Sequence, residues 1–381
     1  MSFVIALIPL ILALAGAAQA LFARRALRRL AATAPPHSPA LPASLLKPLH
    51  GAEPGLEENL TACLAQSHAA PFEVIFGAAS PADAALPVAQ AAMSESATPS
   101  RIIAGGAVLG ANRKVSQLVH LAAAARHPAL VLSDADMRCP PEWLTAVTAP
   151  LADPAIGLVT CLYRGEAADD GPWSRLAALG IDWHFLPNAA FGEALGQAKG
   201  CYGATMALSR PTLDRIGGFE PLLPLLADDH ALGEAVRRVG LRVVLSPVIP
   251  AHVMQERTLT SLWQHELRWA RTVRMLNPTG FAGLAFTHPL AWALLALALA
   301  PGGLSLAVLA LVLAARLALA QGVDQALGLA TGWRRWAWLP ARDMLSAMIW
   351  LAAFWPGSVV WGAHRYRLGR DGRMVETNRN P

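Results

Sequence analysis

Residues 129–144 read ALVLSDADMRCPPEWL, in which a fully apolar run stops at an Asp-Ala-Asp and two prolines follow. A short apolar run bounded in this way predicts a buried β-strand, and Pro140-Pro141 marks the start of the next helix. Two carboxylates one residue apart at a strand end, Asp134 and Asp136, can hold a hard divalent cation that neutralises a diphosphate. Asp-x-Asp is also common in loops, where it forms a turn or caps a helix, so taken alone the pattern leaves both interpretations open.

Strand and helix patterns alternate on both sides of this stretch. Such alternation builds a mostly parallel sheet with helices on both faces, so the sequence predicts a doubly wound α/β domain. Ligands bind such sheets at the carboxyl ends of the strands, which makes the polar residues just after a strand the most informative. The predicted strands are 72–79, 101–108, 129–133, 156–162, 203–209 and 241–246, and the predicted helices are 55–67, 82–94, 114–125, 141–149, 173–185 and 228–239.

The composition is too apolar for an ordinary soluble enzyme. Of the 381 residues, 54% are hydrophobic and 15% are charged, and the mean hydropathy is positive. The net charge of +5 comes mainly from arginines near apolar segments, at 24–29 and 364–373. These clusters suit an anionic lipid surface, whereas a nucleic-acid-binding protein would carry a basic stripe with interleaved aromatics, which the polar part lacks. We therefore expect a membrane partner and no nucleic acid.

Three apolar runs predict membrane segments. Residues 2–22 are uncharged and long enough to cross a hydrocarbon core of about 30 Å as a helix. Ala18-Gln19-Ala20 resembles a signal-peptide cleavage site, but no positive charge precedes the run and arginines follow it, which favours an uncleaved anchor with a cytoplasmic Arg24. Residues 282–315 would make a helix of about 51 Å, so they form either a hairpin bent at Pro301-Gly302-Gly303 or one broken span. The third run is 344–363.

These segments define the domain organisation that we expect. A Pro- and Ala-rich linker separates the anchor from the polar part, and no internal repeat is present. The four cysteines, Cys63, Cys139, Cys161 and Cys201, lack the close pairs of a zinc or redox site, which predicts reduced core residues. The expected boundaries are 1–23 for the N-terminal transmembrane anchor, 24–43 for a basic linker, 44–255 for the α/β domain, 256–281 for a juxtamembrane amphipathic helix, 282–363 for the C-terminal transmembrane region and 364–381 for a basic cytoplasmic tail.

Two further segments carry candidate site residues. Asp228-Asp229 opens the predicted helix 228–239, where carboxylates are stabilised by the helix dipole; one of them can instead accept a proton from an attacking hydroxyl. Residues 263–278, WQHELRWARTVRMLNP, crowd arginines and tryptophans onto a helix before the second apolar run. This helix is either an interfacial helix at the level of lipid phosphates or a source of fixed positive charge for a leaving diphosphate.

Taken in order, six motifs resemble the ceramide glucosyltransferase group of inverting glycosyltransferase family 2. They are LLKPLHGAEPGLEENL, SDADMRC, KGCYGATMALSR, ADDHALGEAVRRVG, HELRW and HRYRLGRDG, and together they span nearly the whole chain. The resemblance implies a GT-A fold, that is, a Rossmann-like nucleotide-diphospho-sugar transferase domain, with N- and C-terminal transmembrane helices. It also implies a UDP-sugar donor, Mg²⁺ or Mn²⁺ as cofactor, a lipid acceptor, and a multi-pass location in the bacterial inner (cytoplasmic) membrane with a cytoplasmic catalytic domain.

The family pattern has three aspartate positions. Asp134 matches the second and Asp136 completes a metal-binding pair, while Asp229 matches the third, which the resemblance makes the catalytic base. Lys114 matches a lysine that lies near the donor. Asp83 is the only nearby candidate for the first aspartate, which contacts the donor, and its alternative is an ordinary helix N-cap.

The pattern ends in (Gln or Arg)-x-x-Arg-Trp. Arg268 and Trp269 match its last two residues and are expected at the donor, whereas His265 replaces the first and offers a hydrogen bond with only fractional charge at pH 7. HGAEPGLEENL and SDADMR look closer to bacterial enzymes associated with hopanoid synthesis, which implies transfer of N-acetylglucosamine to bacteriohopanetetrol. Glucose transfer to ceramide or another lipid is the alternative. Three apolar runs are too few for a polysaccharide export channel, and an inactive lipid-binding scaffold is the alternative of another class.

Overall fold

A computed structural model describes residues 2–34, 39–196, 200–361, 364–369 and 372–377. The chain divides into two compact units. The helical unit comprises Met1–Thr33, Asp169–Lys199 and Glu256–Ala363, and the sheet unit comprises Ala34–Ala168, Gly200–Gln255 and His364–Pro381. The segment Asp169–Lys199 therefore belongs with the terminal helices, although the expected α/β domain, 44–255, included it.

The secondary structure is given in chain order. The helices are α1 (Ser2–Ala31), α2 (Leu56–Leu64), α3 (Ala85–Ser94), α4 (Arg113–Ala124), α5 (Trp143–Thr148), α6 (Pro172–Gly180), α7 (Leu186–Ala194), α8 (Arg210–Arg215), α9 (Asp228–Arg238), α10 (Leu259–Leu276), α11 (Pro278–Gly283), α12 (Pro289–Leu299), α13 (Gly303–Ala326), α14 (Trp333–Trp336) and α15 (Leu339–Ala352). The strands are β1 (Ala43–Leu49), β2 (Phe72–Ala78), β3 (Ser100–Ala104), β4 (Ala129–Ser133), β5 (Met137–Arg138), β6 (Ile156–Cys161), β7 (Arg164–Ala167), β8 (Thr205–Ser209), β9 (Arg242–Ser246), β10 (Ala251–Met254), β11 (Val359–Trp361), β12 (His364–Leu368) and β13 (Met374–Glu376).

The sheet unit is built on a seven-stranded sheet in the order β3-β2-β1-β4-β8-β6-β9. Within the described residues, β8 alone runs antiparallel to its neighbours, so the sheet is mostly parallel as expected. Successive side chains of a strand point to opposite faces, and Leu45 and Leu46 of β1 accordingly enter two different apolar clusters. Helices cover both clusters, which gives three layers. The chain proceeds from β1 to one side through β2 and β3, while β4 lies on the other side, so a switch point for ligand binding lies between β1 and β4.

A second, three-stranded sheet of the same unit lies beside the carboxyl end of β4. In it β10 pairs antiparallel with β5 and parallel with β7. The pairing places His252 of β10 opposite Met137, directly after the Asp-Ala-Asp. The expected basic tail is also partly folded, because β12 and β13 pair and Met374 N donates to Pro224 O at 2.8 Å. Residues 370–371 and 378–381 of that tail lie outside the described residues.

The helical unit contains the candidate membrane segments. Among the described residues, Ile5–Ala31 and Gly303–Ala326 are each long and apolar enough to cross a membrane, judged by length and composition. A third candidate arises if Pro278–Thr287 and Pro289–Leu299, bent by 65°, act as one broken span. The first helix continues through the arginine cluster to Ala31 instead of ending near residue 23, and linker residues 35–38 lie outside the described residues.

Helix breaks divide the C-terminal apolar runs. Of the two alternatives for residues 282–315, the structure has the hairpin at Pro301-Gly302-Gly303, because α12 ends at Leu299, α13 begins at Gly303, and both pack with α1 in one apolar cluster. The run 344–363 does not form one span-length helix, since α15 has 14 residues and ends at Ala352. At 1.5 Å per residue it is about 21 Å long, less than a hydrocarbon core of about 30 Å. Residues 362–363 lie outside the described residues.

Charged side chains buried in the helical unit are paired, as burial of a charge requires. Arg316 donates to both carboxylate oxygens of Asp343, at 2.6 and 2.8 Å. Arg342, whose side chain is 1% exposed, forms two hydrogen bonds of 2.7 Å with Glu266 of α10. The second pair ties α10 to α15, so it fixes the helix that carries HELRW.

All six predicted strands are present. The described residues also form β1 and five short strands of the sheet unit that were not predicted, together with β11 of the helical unit. The predicted strand 101–108 ends early, because Gly105 has a φ of +80° and turns the chain. The predicted helix 173–185 is α6 continued by a π-helical turn, Ile181–Phe185. The four cysteines are buried and free of disulfides, which confirms that expectation.

Candidate active site

The Asp-Ala-Asp loop follows β4 at the switch point. The fully buried strand ends at Ser133, and the loop then turns back, with Met137 N donating to Asp134 O at 3.2 Å. The side chains of Asp134 and Asp136 are 34% and 31% exposed. Two partly exposed carboxylates therefore lie at the carboxyl end of a central parallel strand, where nucleotide ligands bind in this fold class, although Asp136 Oδ1 itself is buried.

Lys114 lies between two acidic positions. It occupies the first turn of α4, whose N-cap Asn112 accepts from Val115 N at 3.0 Å. Its Nζ is 2.6 Å from Asp134 Oδ1 and 3.9 Å from Asp228 Oδ2. Burial alone lowers the pKa of Lys114, but the nearby carboxylates outweigh burial and raise the pKa above its ordinary value. The lysine therefore carries its charge at neutral pH.

Asp228 and Asp229 open α9 on the other side of this lysine. Neither caps the helix as its N-cap residue, because that position is Ala227 and it makes no side-chain capping bond. Asp228 is mostly buried and accepts from Asn112 Nδ2 at 3.3 Å. Asp229 accepts from Gly203 N at 3.0 Å through Oδ2 and from His230 N at 2.7 Å through Oδ1.

The surroundings of Asp229 favour its protonated form. Burial is the main cause and raises its pKa above the ordinary 3.8, while the amides of His230 and Gly203 and the charge of Lys114 partly offset burial. A carboxylate with a raised pKa is a better proton acceptor near neutral pH. Gly203 also sets the position of this group, because a Cβ there would lie 3.0 Å from Asp229 Oδ2 and 3.1 Å from its Cβ.

Asp83 is held by neighbouring loops. Its side chain is 7% exposed and accepts from Gly51 N at 2.8 Å and from Ala85 N at 3.0 Å. Burial raises the pKa of Asp83, but the two amides and His50 together lower it by more, so its pKa lies below the ordinary value. Asp83 thus joins the segments that follow β1 and β2, and it is not the N-cap of α3, which is Ala84. Its role as a donor ligand stays a prediction.

Two residues that hold the Asp-Ala-Asp loop were not identified from the sequence. Lys47 of β1 is fully buried, and its Nζ donates to Asp134 O at 2.7 Å. His252 of β10 is within 2.9 Å of Asp136 Oδ2 through Nε2. A lysine inside an apolar strand was the available sign for Lys47, whereas His252 becomes recognisable only when β10 pairs with β5.

The residues present fit a divalent cation that is shared with a nucleotide. Within the described chain, no three His, Cys, Asp or Glu side chains converge as a complete metal cage. Mg²⁺ and similar divalent cations such as Mn²⁺ are commonly held by one or two carboxylates together with substrate phosphates and waters. Asp134 and Asp136 supply two such carboxylates, and Lys114 is placed to contact phosphate beside them.

The HxxRW residues belong to the helical unit. They lie on α10, which begins with a capping box formed by Thr258 and Ser261. His265 Nδ1 is hydrogen-bonded to Glu256 Oε1, and the ring of His265 meets that of Trp269 edge-on, with centroids 4.2 Å apart. A carboxylate acceptor fixes Nδ1 as a protonated nitrogen and orients the ring.

Two arginines on α10 differ from the expectation of an interfacial helix. Arg271 donates to Ser358 O at 3.0 Å, and Arg274 donates to Phe354 O at 3.2 Å. Both side chains therefore donate to backbone carbonyls of the segment that follows α15. One of the two interpretations of the sequence placed them at lipid phosphates instead. Arg268 lies on the same helix and is partly buried, and its role stays a prediction.

The comparisons with known proteins agree with the fold. Residues 8–374 match the family described as Glycosyl transferase family 21, which is ceramide glucosyltransferase-like, so the expected family relationship is confirmed at that level. Among solved structures, the chain is similar to mannosyltransferase PcManGT from Pyrobaculum calidifontis in complex with GDP-Man and Mn²⁺, with 18% identity and a TM-score of 0.50 over 93% of this chain and 97% of that chain. It also matches glucosyl-3-phosphoglycerate synthase from Mycobacterium tuberculosis in complex with Mn²⁺, UDP and phosphoglyceric acid, with 19% identity and a TM-score of 0.40 over 61% and 78%. The mixed α/β architecture is GT-A-like, as expected.

Proposed function

The chain belongs to glycosyl transferase family 21 and is a glycosyltransferase, and we propose that it moves a sugar from a UDP-sugar to a lipid hydroxyl with inversion. The observation that supports this proposal most directly is a cluster of charged residues at the carboxyl ends of the central strands. In it, Lys114 lies close to Asp134, Asp228 and Asp229. A lysine and a strand-end carboxylate pair suit a nucleotide diphosphate, and a neighbouring carboxylate of raised pKa suits a base.

Asp229 has the role of general base in a single displacement. Its carboxylate takes the proton of the acceptor hydroxyl as that oxygen attacks the anomeric carbon from the side opposite the UDP. One attack from the opposite face inverts the anomeric carbon. The amides of Gly203 and His230 orient the carboxylate, so its free lone pairs point in a fixed direction.

The leaving diphosphate is stabilised by positive charge. Lys114 supplies one such charge, and by resemblance we assign Arg268 to the same task, with Trp269 and His265 beside it. Asp134 and Asp136 would hold Mg²⁺ or Mn²⁺, which supplies positive charge to the departing UDP when bound. Asp83 is assigned, also by resemblance, to the nucleotide.

The lipid acceptor is supported by the apolar helices α1 and α13, each long enough to cross a membrane. A transferase anchored by such helices meets its acceptor at the bilayer surface, and the arginines after α1 favour a cytoplasmic face. We propose N-acetylglucosamine as the sugar and bacteriohopanetetrol as the acceptor, in the cytoplasmic membrane of a bacterium. The resemblance of HGAEPGLEENL and SDADMR supports that choice over glucose transfer to ceramide.

Purified full-length protein in mixed micelles tests this proposal. UDP release is measured with Mn²⁺ or Mg²⁺, with UDP-N-acetylglucosamine or UDP-glucose, and with bacteriohopanetetrol, ceramide or short water-soluble polyols. The proposal predicts metal-dependent release only with a lipid acceptor. Equal rates on polyols would contradict the lipid acceptor, transfer to ceramide alone would replace the substrate, and no release with any pair would favour an inactive scaffold.

A further inference from the structure

Lys47 is an unusual residue of the sheet unit. It lies in the mostly apolar strand β1 (Ala43–Leu49), where every residue except the partly buried Pro48 is buried, and its own side chain is fully buried. A buried ammonium group loses its hydration, so it persists only where several acceptors replace the lost water. The acceptors around Lys47 therefore indicate what the residue holds in place.

The Lys47 ammonium group is held mainly by one loop, with the Cys63 thiol of α2 as a further hydrogen-bonding neighbour. Its Nζ donates to Asp134 O at 2.7 Å and, over longer distances of 3.4 Å each, to Ser133 Oγ and Met137 O. The register of the sheet explains this reach, because Leu46 pairs with Leu132 and the next residue of β1 is thus level with Ser133. The contacts begin just before Asp134 and end just after Asp136.

An ordinary structural lysine would satisfy acceptors of its own strand or of scattered core positions. Here one ammonium group spans both ends of a five-residue loop and fixes the backbone of Asp134. The direction of the two carboxylates follows from that backbone. Groups that hold the ligands of a metal in this way commonly change metal affinity about 10- to 100-fold when they are lost.

We propose that Lys47 is a positioning residue that preorganises Asp134 and Asp136 to bind a divalent cation together with the nucleotide diphosphate. This inference rests on the proposed function. Lys47 touches neither the donor nor the cation, and it acts only through the loop 133–137.

Ser44 provides a matched control on the same strand. It is fully buried, donates to Glu73 Oε1 at 2.7 Å, and accepts from the amides of Arg126 and His127 at 3.2 and 3.1 Å. These contacts lie at the opposite end of β1 from the Asp-Ala-Asp loop. Ser44→Ala therefore removes buried hydrogen bonds from β1 and leaves the contacts of the loop intact.

The test compares full-length wild type, Lys47→Met, Lys47→Gln and Ser44→Ala by calorimetric titration of UDP at a series of Mn²⁺ concentrations, together with thermal unfolding. Both Lys47 variants are expected to need at least about tenfold more Mn²⁺ for half-maximal UDP binding. Ser44→Ala is expected to lower Tm while its Mn²⁺ requirement stays within about twofold of wild type, since none of its contacts touches the metal ligands. Lys47→Gln keeps a side-chain donor, so it provides the comparison if Lys47→Met does not fold.

The possible outcomes separate this inference from the proposed function. If wild type binds UDP with Mn²⁺ and the folded Lys47 variants show an unchanged Mn²⁺ requirement with only a lower Tm, Lys47 is purely structural and the inference is overturned. If Ser44→Ala raises the Mn²⁺ requirement as much as the Lys47 variants, the effect follows from general destabilisation and the inference is likewise overturned. If wild type shows no Mn²⁺-dependent UDP binding, the proposed function itself fails and the inference fails with it.

Discussion

Asp229→Asn removes the proton acceptor and keeps the shape of the side chain. A positioned general base contributes about 10²- to 10⁴-fold to rate, so kcat is expected to fall by about 10³-fold. Each carboxylate oxygen of Asp229 accepts one backbone N–H, from Gly203 and from His230. Asparagine keeps an acceptor for one amide and turns an NH₂ group toward the other. The lost bond is worth about 1 kcal/mol, which lowers Tm by about 2–4 °C in a domain of this size.

The assay is metal-dependent UDP release over a range of pH, with UDP binding measured separately. The base must be deprotonated, and the pKa of Asp229 is raised above the ordinary 3.8. Wild-type activity is therefore expected to fall, as the pH drops, at a higher pH than an ordinary aspartate would give. In Asp229→Asn this dependence disappears from the residual rate, and UDP binding stays close to that of wild type.

Asp214→Asn is the control, because it removes one exposed aspartate of the same unit on α8. It is expected to leave kcat, Tm and the pH profile unchanged. An Asp229→Asn enzyme that turns over within a few-fold of wild type would remove Asp229 from the base role. A variant that loses UDP binding as well as turnover would show that Asp229 serves donor binding.

Three further outcomes follow from the contacts. Asp134→Ala is expected to raise the Mn²⁺ needed for half-maximal UDP binding more than about tenfold, and Asp136→Ala to raise it less; unchanged titrations in both would make the loop a simple turn. Gly203→Ala places a Cβ 3.0 Å from Oδ2 of Asp229, the proposed base, and is expected to lower kcat at least about tenfold at similar donor affinity, which wild-type turnover would contradict. Arg342→Met leaves the Glu266 carboxylate, whose side chain is only 14% exposed, without its partner. It is expected to destabilise the helical unit by about 3 kcal/mol, so an unchanged Tm would refute the importance of that pair.

The sequence predicted the sheet well, together with the positions of Asp134, Asp136 and Asp229 at the ends of its elements. The run 129–133 is apolar throughout because a central parallel strand is buried on both faces, so its end and the two aspartates were recognisable. Helix 228–239 has a clear amphipathic pattern, which placed Asp229 at its start. These features are local in sequence, and local patterns are what single-sequence reasoning detects.

The remaining features depend on contacts between distant segments. Lys47 and Pro48 interrupt the apolar pattern of β1, and the charge is tolerated only because loop 133–137 supplies its acceptors. His252 meets Asp136 through a two-residue strand pairing that has no periodic pattern of its own. The segment Asp169–Lys199 reads as part of the α/β alternation, although it packs with the terminal helices. The sequence shows an unusual lysine at position 47, but it does not show which distant residues Lys47, His252 or the segment Asp169–Lys199 contact.

The most direct test of the central claim is mass spectrometry of lipids from cells that produce the wild-type protein or Asp229→Asn at equal levels. A catalysed transfer to a membrane lipid must leave both the sugar and the lipid core in one product. We predict a hopanoid polyol carrying one added N-acetylhexosamine in wild-type cells and its absence from the variant. Identical lipid profiles in the two strains, with purified wild type releasing UDP only to water or to soluble polyols, would contradict the claim that this chain glycosylates a lipid.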